Sequence, residues 1–417
     1  MKAWGRKKRS YITVLDIGTS KICCLMVHFD NDGIPEVIGL GYAPAKGIKN
    51  GVIVDLDKAT DCIGVALAET EKMAEREIKS VVVNITSSSL KSHHLFSEME
   101  IEEGHQITAA DVKRLVDGAL VSILTPEQEI IHQFPLSYTL DGEKGLADPR
   151  DLYGHKLGVH LHVITLPESQ SRNLVAVLDR CHVSIEAKVA TPYACGLAVL
   201  TEEEKDIGAA VIDFGAGTTS TAVFLNGCLV HLGNVSIGGN TITRDIAQGL
   251  STSLVVAERL KTLNGYAFLS PKDELERLIV PVLGDDKEAN LQIPRSNLIS
   301  IIVPRLEEIL EQTAIILDAD PSVGIATHRL VLSGGGAALQ GLKEKTASVL
   351  DAVVRLGRAP SLKGISEQYE NYTFSTCIGL LRYIMMRNII LMEDPLQGTA
   401  KKKGLLRKVM AWLEQNF

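Results

Sequence analysis

Apolar residues along this chain fall into short runs separated by polar, glycine-rich turns, and one order of runs and turns occurs twice. Ala209 to Ile212 predicts a buried strand, followed by the turn Asp213-Phe214-Gly215-Ala216-Gly217-Thr218-Thr219-Ser220. A second strand is predicted over Thr221 to Leu225. Asn226-Gly227, a strong hairpin signal, leads into a third over Leu229 to Leu232. Near the N-terminus, Tyr11 to Leu15, Ile22 to Val27 and Val37 to Leu40 make the same meander. The polar turn is Asp16-Ile17-Gly18-Thr19-Ser20-Lys21 and the hairpin turn Asp32-Gly33. One such unit is weak evidence, because Asp-Gly turns are common. Two in the same context imply an internal duplication.

Between and after these units the periodicity changes to that of helices. Leu56 to Ala74 places Ala59, Ile63, Ala66, Leu67, Thr70 and Met73 on one face, with Asp55 or Asp57 as N-cap, and Ile78 to Ile85 returns as a strand. Residues 86–165 then interrupt the unit with a helix at Thr108 to Leu120 and strands at Ile130 to Leu140 and Leu157 to Ile164. His160 and His162 alternate with Leu161 and Val163. A metal pair there would need further ligands, so the pattern reads as a solvated strand face. A helix over Leu174 to Val183, a strand over Ile185 to Val189 and a small-residue helix from Thr191 to Ala198, with Pro192 in its first turn, follow. Gly238-Gly239 lead into a helix from about Asn240, with Ile242, Ile246 and Leu250 on one face. Its unpaired N–H groups and dipole suit a phosphate. Residues 270–295 read as a surface lobe. Pro304 reads as the first-turn residue of a helix, and Arg329 to Ser333 as a buried strand running into Gly334-Gly335-Gly336, with a helical stretch from Ala337.

The two polar turns hold carboxylates, glycines and hydroxyls, the groups that cradle phosphate. Glycine lets backbone N–H groups approach anionic oxygens, hydroxyls add donors, and Asp16 and Asp213 can hold Mg²⁺ through water. The Gly334 to Gly336 turn lets a flat base or a phosphate lie against the backbone. This is no P-loop, because Leu342 intervenes before Lys343 in the nearest approach to that motif. No G-x-G-x-x-G follows a strand either, which disfavours a dinucleotide fold.

Composition narrows the classes. A chain of 417 residues with 45% apolar content can bury a core split into two lobes. Seven cysteines without a C-x-x-C pair, six of them in or beside apolar runs, read as reduced core residues of a cytosol. No apolar run reaches the roughly 18 residues of a bilayer span, and no secretory signal follows the basic Met1 to Ser10. Residues 1–10 carry a net +5 and residues 401–417 a net +4 in a chain of net −8, leaving about −17 on the body by difference. So acidic a body argues against wrapping nucleic acid, and two basic ends suit an anionic surface. Arg6-Lys7-Lys8-Arg9 reads as a solvated tail near a membrane, or as a nucleic-acid arm.

The C-terminus sharpens this. After a linker at 395–400, Lys401-Lys402-Lys403 precede Leu405, Leu406, Val409, Met410, Trp412, Leu413 and Phe417 at helical spacing, with Arg407, Lys408 and Glu414 opposite. A helix from Gly404 to Phe417 would be roughly 21 Å long, against roughly 30 Å of hydrocarbon, so it fits in the interface rather than across it. Each basic residue near anionic lipid adds on the order of 1 kcal/mol. The alternative is a terminal helix docked on the body.

Two Asp-x-Gly phosphate turns and a later Ser-Gly-Gly-Gly resemble the actin, Hsp70 and sugar-kinase superfamily. Val14 to Lys21, Asp213 to Thr219, Ser236-Ile237-Gly238-Gly239, Ala257 to Lys261 and the C-terminal pattern together resemble the FtsA family of bacterial cell-division proteins over essentially the whole chain. The resemblance implies an α/β, actin-like ATPase fold of two duplicated RNase-H-like lobes around a nucleotide cleft, with an inserted small α/β subdomain. It divides the chain as follows. Residues 1–85 and 166–200 are the first lobe, 86–165 the inserted interaction subdomain, 201–240 and 306–356 the second lobe, and 241–305 that lobe's outer subdomain. Residues 357–394 return to the first lobe, 395–403 are linker and 404–417 the membrane helix.

The resemblance further implies Mg-ATP, with Asp16 and Asp213 at the metal, and Gly18, Thr19, Ser20, Lys21, Gly215, Gly217, Thr218, Thr219, Gly238 and Gly239 at the phosphates. Gly334, Gly335 and Gly336 fall on the base or ribose side, and Glu258 and Lys261 are either nucleotide contacts or a plain surface ion pair. Hsp70-like relatives carry a hydrolytic Glu just before the Pro at 192. Thr191 stands there, which makes fast hydrolysis doubtful and a slow ATPase the upper bound. Implied partners are the C-terminal tail of the tubulin-like protein FtsZ (through Arg305 and Glu308), other division proteins, further copies in filaments, and the anionic inner face of the cytoplasmic membrane at the division site. The rivals are a small-molecule kinase of the same superfamily, for which neither a general base nor a second substrate pocket is visible, and a chaperone-like ATPase.

Overall fold

The computed structural model describes residues 11–29, 34–283, 290–319, 324, 326–364 and 374–393, with side chains to 387. The Asp32-Gly33 hairpin, the basic N-terminal run, the linker and the amphipathic pattern of 404–417 lie outside the described residues.

β1 (Tyr11–Ile17), β2 (Lys21–Phe29) and β3 (Pro35–Pro44) form an antiparallel meander whose first turn is tight enough to pair Ile17 with Ile22. A small ribbon, β4 (Ile48–Lys49) and β5 (Val52–Ile53), precedes α1 (Leu56–Ala74). The Asp55 carboxylate caps α1 by accepting from the Lys58 N–H, and the helix buries Ala59, Cys62, Ile63, Ala66, Leu67 and Thr70. Met73, expected on that face, is exposed. β6 (Ser80–Ile85) then enters the sheet parallel to β1.

The insertion is a domain in its own right: β7 (Lys91–Glu100), α2 (Ala109–Leu120), β8 (Gln128–Leu140), β9 (Glu143–Leu146) and β10 (Lys156–Pro167). Its sheet has the order β7-β10-β8-β9, and α2, begun by a Thr108–Asp111 capping box, closes a separate core around Ile107, Leu115, Leu157 and Val163. The sequence pattern misses β7, because none of its residues is buried. Its conformation comes from pairing with β10. The solvated strand face expected at His160 and His162 is corrected, since His162 is fully buried.

α3 (Glu168–Arg180), six residues earlier than expected, and β11 (Ser184–Ala190) complete the first lobe, whose sheet order is β11-β6-β1-β2-β3. α4 (Thr191–Val199) and α5 (Glu202–Ile207) lead into β12 (Ala209–Phe214), β13 (Thr219–Leu225) and β14 (Cys228–Val235). Asn226 and Gly227 both take positive φ in the β13–β14 hairpin, as the Asn-Gly pair predicts.

The outer part of the second lobe is α6 (Gly239–Gly249), α7 (Leu254–Asn264), the ribbon β15 (Arg277–Pro281) and β16 (Asn290–Pro294), and α8 (Arg295–Asp318). Pro304 is not a first-turn residue but sits inside α8. The buried stripe Leu298, Ile302, Leu306, Ile309 and Leu310 continues straight through it, so packing overrides the lost backbone bond. β17 (Arg329–Ser333) lies parallel to β12. A 3₁₀ turn over Gly335–Ala338 replaces the helix expected from Ala337, and α9 (Leu342–Leu350) begins only after Gly341. β18 (Val353–Leu356) and α10 (Ser375–Glu393) end the described chain.

The second sheet runs β14-β13-β12-β17-β18, the same order of meander and parallel strands as the first, so the duplication read from the turns is a duplication of topology. α4 and α10 pack together between the sheets. Among the described residues no helix is long and apolar enough to cross a membrane.

Candidate nucleotide site

Each meander delivers one aspartate to the floor of a shared cleft. Asp16 is the penultimate residue of β1 and Asp213 that of β12, and the turns that follow face each other, with the Gly217 backbone packed on Thr19 and Asn50. The first turn is closed by the Gly18 N–H to the Lys21 carbonyl at 2.9 Å, the second by the Gly215 N–H to the Thr218 carbonyl, also 2.9 Å. Thr19 Oγ1 accepts from the Gly51 N–H at 2.9 Å, which fixes the first turn against the β4–β5 ribbon. Gly334 (φ +82°) lies directly on Asp213 and Phe214: an added Cβ would meet Asp213 Oδ1 at 2.3 Å. Only glycine fits that backbone and that space.

The cleft holds about 880 Å³, within the range of small-molecule sites. Asp16, Gly18, Thr19, Ser20, Lys21, Asp213, Gly215, Gly217, Thr218, Gly239, Glu258, Lys261, Gly334, Gly335 and Gly336 all line it. Thr219 and Gly238 do not. Thr219 Oγ1 donates to the Ile237 carbonyl at 2.9 Å, and Gly238 packs behind the second turn. The expectation of free N–H groups at the start of α6 also needs correcting. The Gly239 and Asn240 N–H groups donate to the Gly215 and Ala216 carbonyls at 3.0 and 2.7 Å, so the helix end braces the second glycine turn. Lys261 is no plain surface pair: its ammonium donates to Glu258 Oε2 (2.7 Å), Thr243 Oγ1 (2.8 Å) and the Gly239 carbonyl (3.0 Å), tying α7 to α6 at the cleft wall.

Electrostatics mark the floor. Burial pushes the Asp16 carboxyl up to about 6, opposed by nearby Lys21. Burial, then the Asp16 charge, pushes Asp213 up to about 7, again opposed by Lys21. Two buried acids opposed, among the described residues, by Lys21 favour a further cation. No cluster of three His, Cys, Asp or Glu side chains forms among the described residues. The donor set therefore fits Mg²⁺, which keeps its waters and takes one or two carboxylates plus phosphate oxygens, rather than a metal caged by protein ligands.

Behind Asp16 lies a polar relay that sequence reading missed. Asn84 Nδ2 donates to Asp16 Oδ1 (2.7 Å) and Thr191 Oγ1 (3.1 Å), its Oδ1 accepts from the Ile17 N–H (2.7 Å), and the Thr86 and Thr191 hydroxyls are 2.6 Å apart. The one signal was an asparagine inside Val81-Val82-Val83-Asn84-Ile85. Asn240, Arg244 and Thr376 also line the cleft without a motif to announce them. Arg305 and Glu308 lie outside it on α8, where Arg305 bonds Asp245 Oδ2 at 2.6 Å as well as Glu308.

The cell division protein FtsA of Agrobacterium fabrum (strain C58) is 33% identical over 100% of this chain and 97% of its own length. This chain belongs to the FtsA family. FtsA of Rhizobium meliloti (strain 1021) is 36% identical over the same shares, and FtsA of Escherichia coli (strain K12) 28% identical over 98% of this chain and 99% of its own. The family model described as cell division protein FtsA matches residues 210–379, and the model of the SHS2 domain inserted in FtsA matches 87–165. Among solved structures, a chain of the PilM–PilN type IV pilus biogenesis complex superposes with a TM-score of 0.64 at 18% identity, covering 89% of this chain and 98% of that one. MreB5 of Spiroplasma citri bound to AMPPNP gives 0.56 at 13%, covering 92% and 99%. These likenesses establish the actin-like ATPase fold, and family membership a role in cell division.

Proposed function

We propose that this FtsA family member binds Mg-ATP between its lobes, polymerises, and anchors FtsZ filaments to the inner face of the cytoplasmic membrane at the division site while recruiting other division proteins. The observation that carries the nucleotide part is the pair of facing glycine turns, each preceded by a buried aspartate held above its usual range. Asp16 and Asp213 hold hydrated Mg²⁺, which neutralises the phosphates, and the Gly18–Lys21 and Gly215–Thr218 turns donate to the phosphate oxygens. Gly334 to Gly336 take the adenosine side. ATP acts as a conformational ligand that favours the closed, polymerising form. At the position of the hydrolytic glutamate in Hsp70-like proteins, Thr191 offers only a hydroxyl already bonded to Thr86 and Asn84, so at most slow turnover is expected.

Membrane attachment rests on the basic, amphipathic pattern of 401–417. A single short interfacial helix binds reversibly, and polymerisation multiplies it through avidity. Flotation with anionic vesicles, Mg-ATP and labelled FtsZ tests the tether: the full chain should carry FtsZ to the top, and a chain ending at Gln397 should leave both below. Flotation of the full chain without FtsZ would give it another client, and no flotation would return the tail to a docked helix. Arg305 and Glu308 are the proposed contacts for the FtsZ tail. Arg305→Glu breaks the bonds to Asp245 and Glu308 and should weaken tail binding about tenfold or more. Unchanged tail affinity in a fluorescence titration would remove both residues.

A further inference from the structure

The inserted domain meets the second lobe through a joint of imidazole and aromatic rings that the nucleotide site does not use. His162 on β10, fully buried, places Nδ1 2.8 Å from the Leu229 carbonyl oxygen on β14, while Nε2 faces the Ser92 hydroxyl on β7. A carbonyl can only accept, so Nδ1 carries the proton in this bond and Nε2 is left to accept from Ser92. The ring is stacked on His94 of β7 at 5.0 Å and on Phe134 of β8 at 6.0 Å. Two residues before Phe134, His132 accepts the Ala190 N–H on Nε2 at 3.0 Å, at the entry to α4, and burial lowers its pKa to about 3, so it stays a neutral acceptor.

From there the contacts pass to α4 and α10, the helices packed between the two sheets. His132 meets Tyr193 of α4 edge-on at 5.1 Å and Tyr383 of α10 at 5.6 Å, and Tyr193 stacks on Phe224 of β13 at 6.0 Å. β13 begins at Thr219, immediately after the second phosphate turn, and its Thr219 pairs with Val235 of β14. Close-packed rings transmit displacement rather than absorb it.

We propose that this joint gears the inserted domain to the nucleotide cleft, with His162 as the positioning residue that makes the insert follow β14 when the phosphate turn moves. The inference rests on the nucleotide reading above. It gives the insert a nucleotide-dependent orientation, and with it a nucleotide-dependent presentation of whatever the insert contacts.

Hydrogen exchange on the full chain, read by mass spectrometry with Mg-AMPPNP against no nucleotide, separates the two. In the wild type, peptides covering 209–225 should slow, and peptides covering 91–100 and 156–167 should change rate by about threefold or more. His162→Leu removes the donor to Leu229. It should keep the slowing at 209–225 and lose the response of the insert. His162→Asn keeps an N–H close to where Nδ1 stands and should respond as the wild type does. An insert that still responds in a folded His162→Leu, fails to respond in a wild type whose 209–225 peptides slow, or falls silent in a folded His162→Asn would overturn the gearing. No slowing at 209–225 in the wild type would overturn the nucleotide reading, and the gearing with it.

Discussion

Asp213→Asn is expected to make the nucleotide-free protein more stable and, in the same molecule, to abolish its stabilisation by Mg-ATP. The carboxyl is buried beside Asp16, and its folded-state pKa of about 7 lies above the ordinary 3.8. A raised carboxyl pKa means that the folded state holds its proton more tightly than the unfolded chain does. Its contribution is therefore fully present below about pH 4 and lost as the pH rises through about 7. Some 3 units at 1.36 kcal/mol each put the cost of the ionised group on the order of 4 kcal/mol at high pH, with about 3 kcal/mol of it appearing between about pH 5 and pH 8.

Asparagine carries no charge, so the variant's melting midpoint should exceed the wild type's at pH 8, and the gap should shrink towards pH 5. Mg-ATP should narrow the gap at pH 8 and reverse the ranking near pH 5, where the cost of the charge is under about 2 kcal/mol: about 2.7 kcal/mol is gained at a ligand concentration of roughly 100 times Kd by a site that can hold the metal, and almost nothing by one that cannot. Melting curves at two pH values with and without Mg-ATP check all of this. A variant that keeps the wild-type nucleotide shift would remove Asp213 from the metal site.

The aspartates were legible because each sits at the end of an apolar strand and before glycine, a local pattern that survives any packing. So was the order of the two meanders, since short apolar runs and an Asn-Gly hairpin are written within about ten residues of sequence. What escaped depends on partners distant in sequence. β7 has no buried residue and owes its conformation to β10. His162 looked solvated because alternation assigns it a side of the strand but cannot reveal that β14, 67 residues on, covers that side. Pro304 argued for a helix start, and the stripe of buried leucines and isoleucines on either side of it decided otherwise. Thr219 and Gly238 belong to the right turns but face away from the cleft. A one-dimensional motif gives membership of a turn and not the direction of each group in it. The Asn84–Thr86–Thr191 relay joins two β-strand ends and a helix, and no spacing rule connects residues 84 and 191.

Gly379→Ala should be among the most damaging single methyl groups this chain could receive. The small residues of α4 announce close packing, but its partner is visible only in the structure: α10 crosses α4 at Gly379, where an added Cβ would stand 1.7 Å from the Ala194 carbonyl oxygen and 2.3 Å from its carbon. Both obstacles are backbone, so no rotamer change relieves them and the helices must separate. Overpacking of this kind costs typically 1–3 kcal/mol, and with rigid backbone on both sides about 3 kcal/mol or more is expected. Gly118→Ala is the control, being an exposed position in the last turn of α2 where nothing lies within 4 Å, and it should gain up to about 0.5 kcal/mol from helix propensity alone. Urea midpoints of the two variants measure the contrast, and equal midpoints would refute the α4–α10 contact.

The same separation should reach the cleft. α10 holds Ser333 through Ser375 at 2.9 Å, just before the Gly334 turn, places Thr376 in the cleft wall, and fixes the Leu197 carbonyl with Arg382. Gly379→Ala should therefore weaken Mg-ATP binding as well as folding, although residue 379 does not line the cleft.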